Sequence, residues 1–217
     1  MRKLMLIAVV IVAAAMLIKQ KDMTWRQSLL KTLYPLIMLK GKLFGNKNEI
    51  KMNSGNVVPA TSFYALRAIQ SNGDTLHFST LKGKKVLIVN TASDCGFTGQ
   101  YEELETLHRQ YGNQLVILGF PANDFKEQEK KSDAEISSFC KINYGVSFPL
   151  MQKSGVVNGP AQHPVYQWLS HAGSNGWNDQ APVWNFSKYL VDEQGVLLAF
   201  YTQMVSPMDP AIAGLLK

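Results

Sequence analysis

The run Lys85-Val-Leu-Ile-Val-Asn-Thr-Ala-Ser-Asp-Cys95-Gly-Phe-Thr98 constrains this chain more than any other stretch. Val86 to Val89 is continuously apolar and mostly β-branched, which reads as a central strand buried on both faces. It gives way to small polar residues (Asn90, Thr91 and Ser93) and then to Cys95-Gly96. Beyond them, Tyr101, Leu104, Leu107 and Tyr111 recur at helical spacing. Cys95 therefore falls between the end of a strand and the start of a helix. Open α/β sheets build their sites there, because the first N–H groups of the helix have no partner. Those groups and the helix dipole favour an anion, so a thiol at this point is expected to ionise more readily than a free one. Position alone leaves two readings open: a reactive thiol, or a small buried hydrophobe.

Charge locates a second feature. The formal net charge of +6 invites a nucleic-acid reading until it is mapped. Residues 1 to 60 hold ten Lys/Arg against two Asp/Glu, and the rest of the chain holds twelve against fourteen. The basic excess belongs to the N-terminal segment, which argues against nucleic acid and turns attention to a membrane. That segment opens Met1-Arg2-Lys3 and is apolar from Leu4 to Ile18, roughly 22 Å of helix. It reads as a signal anchor, with a cleaved signal peptide as the alternative, over residues 1–22. The anchored domain is expected on the exported (periplasmic) side; secretion after cleavage and a cytoplasmic face are the alternatives, since Lys19, Lys21 and Arg26 follow the apolar run.

Residues 23–59 form a basic amphipathic segment and a linker. Trp25, Leu29 and Leu33 share one helical face, Arg26, Lys31, Lys40 and Lys42 supply charge, and Pro35 is expected to break or kink the run. Such a helix suits the headgroup level of a bilayer, or a plain stalk. Asn46 to Pro59 reads as the linker, and the globular domain is placed at 60–217. Within it, Phe63–Ile69 and Thr75–Phe78 flank Asn72-Gly73 as a hairpin. Leu115–Phe120 is a second buried strand. Ser132-Asp-Ala-Glu135 is a capping box opening a helix that turns Ile136, Phe139 and Cys140 inward. His163–Leu169 is helical, Tyr189–Val191 and Val196–Phe200 are strands, and Asp209–Leu216 is a closing helix. This order predicts an α/β fold with a mixed sheet. His77, His108, His163 and His171 lie in separate elements without ligand spacing, so neither a metal nor another cofactor is expected.

Four segments then coincide: Val89-Asn-Thr-Ala-Ser-Asp-Cys-Gly-Phe-Thr98, Gly119-Phe-Pro-Ala-Asn-Asp-Phe-Lys-Glu-Gln-Glu129, Phe139-Cys-Lys-Ile-Asn-Tyr-Gly-Val-Ser-Phe-Pro149 and Trp184-Asn-Phe186. In this order and spacing, with Asn158-Gly159-Pro160 and His163-Pro164 between the last two, they resemble the glutathione peroxidase family in its cysteine form. The resemblance spans roughly residues 60 to 217 and does not reach residues 1 to 59. It implies a thioredoxin-like fold, a mixed central sheet flanked by helices, carried here behind an N-terminal membrane-anchor helix. It also implies reduction of hydrogen peroxide and organic or lipid hydroperoxides through a sulfenic acid on Cys95. The family's partners for that cysteine match Gln128, Trp184 and Asn185, donors that do not titrate near neutral pH. By its helical position Cys140 reads as a core cysteine; by the resemblance it matches a resolving cysteine. A helix-bound Cys140 is expected to need local unwinding of residues 132–140 before a disulfide can close. The implied reductant is a thioredoxin-like protein or glutathione; the alternative function is a peroxide sensor or disulfide relay that passes oxidation to a partner protein.

The chain departs from the family pattern at Ala122, where a further cysteine is common, and at Asp124, Lys126-Glu127 and Lys130, where a glutamine, a glycine pair and a proline are usual. The stretch from Leu169 to Trp184 lacks the longer insertion of tetrameric relatives. That favours a monomer with an open site, able to admit a protein reductant or a bulky lipid peroxide.

Overall fold

The apolar run at Val86–Val89 forms a strand paired along both edges in a computed structural model that describes residues 23–44 and 49–216. In chain order the strands are β1 (Ile50–Met52), β2 (Arg67–Ile69), β3 (Thr75–His77), β4 (Lys85–Thr91), β5 (Leu115–Pro121), β6 (Lys188–Val191) and β7 (Leu197–Tyr201). The helices are α1 (Trp25–Phe44), α2 (Gln100–Tyr111), α3 (Asp133–Tyr144), α4 (Pro164–Leu169), α5 (Ala172–Asn175) and α6 (Pro210–Ala213). The main sheet has the order β1-β7-β6-β4-β5, with β4 parallel to β5 and antiparallel to β6, while β2 and β3 form a separate hairpin. This is the mixed sheet that the sequence predicts.

Side-chain alternation along β4 feeds two layers, which is why the run carries no polar residue. Leu87 and Val89 enter the layer that holds Leu104 and Leu107 of α2 and Ile136 and Phe139 of α3. Val86 and Ile88 enter the other, with Phe63, Phe78, Val165 and Trp168. Helix α3 starts at its predicted cap: Glu135 N–H donates to Ser132 Oγ at 3.4 Å, and Ser132 N–H donates to the Glu135 carboxylate at 2.8 Å. Pro164 occupies the first turn of α4, behind His163, whose Nδ1 accepts from Val165 N–H at 3.2 Å.

Two regions depart from the sequence expectation. Part of the stretch that reads as linker, Ile50–Met52, is an edge strand antiparallel to β7. Helix α1 continues through Pro35 and lies against the domain. Its inward face is Gln27, Lys31 and Tyr34, spaced i, i+4, i+7, and each bonds to the domain. Trp25, which shares a helical face with Leu29 and Leu33, is 54% exposed, while those two are half-buried. Polar anchors, not apolar area alone, thus decided which face turned inward. The expected signal anchor at residues 1–22 lies outside the described residues, and no described helix is long and apolar enough to cross a membrane.

Candidate active site

β4 ends at Thr91, α2 starts at Gln100, and Cys95 lies in the turns between them, where Thr98 N–H donates to Cys95 O at 3.2 Å. Its side chain belongs to the α2–α3 layer and is 1% exposed. Four donors address its sulfur: the backbone N–H groups of Gly96 and Phe97 and the side chains of Trp184 and Asn185. Burial is nevertheless the largest influence and pushes the thiol up from its ordinary value, with the donors pulling against it. The lowering expected from the helix start alone is therefore not the net result. Helix α1 lies over the Cys95 turn, with Ile37 and Leu30 against Gly96 and Tyr34 against Gly99.

Trp184 and Asn185 reach Cys95 because β4 itself holds their turn. Asn90 Nδ2 donates to Trp184 O at 3.0 Å, and Phe186 N–H donates to Asn90 O at 2.6 Å. Ser187 Oγ closes the turn, accepting from Val183 N–H at 3.2 Å and donating to Trp184 O at 2.9 Å. Phe186 takes a left-handed φ of 67°, unusual for a bulky residue and a mark of a turn fixed by its surroundings. Asn185 is fully buried and donates from Nδ2 to Gln128 Oε1 at 3.0 Å. Gln128 therefore meets the site through Asn185. Its own backbone O accepts from Asp94 N–H at 3.0 Å, which ties its loop to the Cys95 turn.

That loop explains the departures from the family pattern. Asp124 Oδ2 accepts from Val156 N–H at 2.8 Å. Lys126 and Glu127 both stand at φ 52°, the left-handed region that a glycine pair enters without steric cost. Lys126 Nζ lies 5.5 Å from the centre of the Trp184 ring, and Glu127 pairs with Lys130 at 2.7 Å. The latter pair is largely exposed and contributes little. Replacing Lys126 and Glu127 by glycine is expected to raise stability by about 1 kcal/mol, the relief of strain being partly offset by the chain entropy of glycine. Urea unfolding of the double variant checks this, and a lower midpoint would contradict it.

One participant carries a motif position but no sequence-assigned role. Glu129 is fully buried, and its Oε2 accepts from Ser93 N–H at 2.7 Å and Ser93 Oγ at 2.9 Å. It thereby fixes the turn two residues before Cys95. Burial pushes its carboxyl up to about 7, against the Ser93 hydrogen bonds. A glutamate between polar residues in a loop carries no sequence signal of burial, so this role emerges only in three dimensions.

Cys140 is fully buried in the same layer as Cys95, and both are free thiols. Its polar surroundings differ: burial pushes it up to about 12, while Tyr101 lowers and Glu129 raises it further. The pair shares a layer, but the polar groups that shift the two thiols differ.

Residues 63–170 match the model of the glutathione peroxidase family. The glutathione peroxidase-like peroxiredoxin HYR1 of Saccharomyces cerevisiae is 44% identical over 160 residues, covering 72% of this chain and 98% of that protein. A glutathione peroxidase of Lactococcus lactis is 42% identical over 149 residues, covering 68% and 94%. Among solved structures, Trgpx in apo form superposes with a TM-score of 0.54 at 34% identity, over 72% of this chain and 96% of that one. The fold is thioredoxin-like, and the chain belongs to the glutathione peroxidase family.

Proposed function

We propose that the protein is a thiol peroxidase in which Cys95 is the peroxidatic residue. The observation that carries this reading is the set of non-titrating donors, Trp184, Asn185 and the Gly96 and Phe97 N–H groups, around one buried sulfur at a strand–helix junction. The Cys95 thiolate attacks one peroxide oxygen, the O–O bond breaks, and a sulfenic acid forms while an alkoxide or hydroxide leaves and takes a proton. A lower thiol pKa would change only the thiolate fraction, so the donors also serve a second end, hydrogen bonding to the charge that develops as O–O breaks. Cys140 then displaces water from the sulfenic acid, closing a disulfide that a thioredoxin-like dithiol reduces; glutathione is the alternative donor. Because Cys140 is wholly enclosed, α3 has to unwind locally for that step. The names of the relatives, peroxiredoxins among them, agree with this chemistry.

The apolar run from Leu4 to Ile18 supports an uncleaved anchor that holds a monomeric domain on the exported side, within reach of lipid hydroperoxides. Intact mass and thiol count after one equivalent of peroxide test the chemistry. Wild type is expected to lose both thiols and two mass units, and Cys140→Ser to gain one oxygen. One added oxygen in both would remove Cys140 from the cycle. No reaction in either would remove Cys95.

A further inference from the structure

Helix α1 precedes the residues matched by the family model, yet it touches both the Cys95 turn and the end of the helix that carries Cys140. Gln27, 2% exposed, donates from Nε2 to Asp94 Oδ1 at 2.7 Å and Ser93 O at 3.3 Å, immediately before Cys95. Ile37 Cδ1 and Leu30 Cδ2 lie over Gly96, 3.5 and 3.8 Å from where a Cβ would stand. The Tyr34 ring sits in the notch left by Gly99, where a Cβ would come within 2.3 Å of it, and its hydroxyl donates to Glu103 at 2.8 Å. Lys31 pairs with Glu102 of α2 at 2.7 Å, donates to Asn143 O at 3.1 Å and stands 4.6 Å above the Tyr144 ring. Asn143 and Tyr144 end α3, the helix of Cys140. One helix thus straps the Cys95 turn to the Cys140 helix.

We propose that α1 determines which reductant the enzyme accepts: it admits peroxide while seated and has to lift before a protein dithiol can reach the cysteines, with Tyr34 on Gly99 and Lys31 on α3 as its fastenings. This rests on the reading of Cys95 as the peroxidatic thiol. A hydroperoxide head is little larger than water and needs only a narrow path. Reduction by a protein needs one of its thiolates in line with a disulfide sulfur: that thiolate bonds to the sulfur, the Cys95–Cys140 bond breaks, and one cysteine leaves as a thiolate and takes a proton. The second thiol of the dithiol then attacks the mixed disulfide, leaving two thiols here and a disulfide on the reductant. Cys95 is 1% exposed in the free-thiol form, and α1 is fastened over its turn at Gly96 and Gly99, so unwinding α3 alone leaves that side covered. A small thiol needs far less clearance than a protein.

Gly99→Ala in the full chain tests this, because Gly99 has right-handed helical backbone angles that alanine adopts freely, while its methyl would collide with Tyr34. If the lifted state holds 0.1–10% of the population, freeing α1 is expected to raise the rate of reduction by a thioredoxin protein roughly tenfold or more. Reduction by dithiothreitol should change much less, and oxidation by hydrogen peroxide should stay at the wild-type rate. Tyr34→Ala alone, which removes the same fastening without crowding Gly99, should speed reduction by the protein in the same way. Lys31→Ala, which leaves the Gly99 contact intact, should also speed reduction by the protein. No acceleration in Gly99→Ala and Lys31→Ala, or an equal acceleration with dithiothreitol, would overturn the proposal. Peroxide consumption that survives Cys95→Ser would instead overturn the reading beneath it, so the two failures are distinguishable.

Discussion

Asn185→Ala is expected to slow oxidation of Cys95 by hydroperoxide by about 10²–10³-fold, the usual cost of removing one preorganised donor to developing charge. Asn185 is fully buried, bonds to Gln128 at 3.0 Å and is one of two side chains that lower the Cys95 thiol. Its loss acts twice. The thiol, already raised by burial, rises further, so less thiolate is present at neutral pH. The charge released as O–O breaks also loses a partner and the support that partner gives Gln128. The two effects separate by pH: alkylation of Cys95 should need a higher pH in the variant, and oxidation should stay slow even where both proteins are fully ionised. Quenched-flow mass spectrometry measures the rate. A thermal melt guards against the cost of about 1–3 kcal/mol that a broken buried hydrogen bond carries. A rate within threefold of wild type in a folded variant would make Asn185 a packing residue only.

The second large effect is on stability. Glu129 is pushed up from 4.5 to about 7 by burial. Its folded form therefore holds a proton that the unfolded chain has already lost between those values. The stabilisation it contributes is complete below pH 4.5 and lost as pH rises through 7, about 3 kcal/mol in all. Lys188, fully buried and bonded to Gln100, Phe186 O and Thr202 O, is pulled down by burial from 10.5 to about 7. Between pH 7 and 10.5 the unfolded chain holds the proton that the folded form lacks, so stability rises again. These two groups alone place a minimum near neutrality. Urea unfolding at pH 5, 7 and 9 should show it. Glu129→Gln, which keeps an acceptor for Ser93, should flatten the acid limb and leave the alkaline one. An unchanged acid limb would show that Glu129 titrates normally despite its burial.

Glu129 also shows where sequence reading stops. The apolar run at β4, the Ser132–Glu135 capping box and the helical spacing after Cys95 are local patterns, and each appears in the structure where the sequence puts it. The four motifs likewise bring Gln128, Trp184 and Asn185 to one place, although Gln128 arrives through Asn185. Glu129, in contrast, is buried where Ser93, distant in the chain, supplies N–H and hydroxyl donors to its carboxylate. Lys126 and Glu127 look like ordinary loop residues until their left-handed φ angles show a backbone that a glycine pair would adopt without strain.

The sequence by itself determined strands β4 to β7, the strand–helix junction at Cys95 and the family, because each is written in contiguous or regularly spaced residues. Only the tertiary structure decided that α1 seats on the site, and that burial sets the sign of the Cys95 shift. Those outcomes rest on contacts such as Gln27 with Asp94, 67 residues apart, and Asn185 with Gln128, 57 apart. Local propensity carries no information about such pairs, since their partners become neighbours only when the layers close.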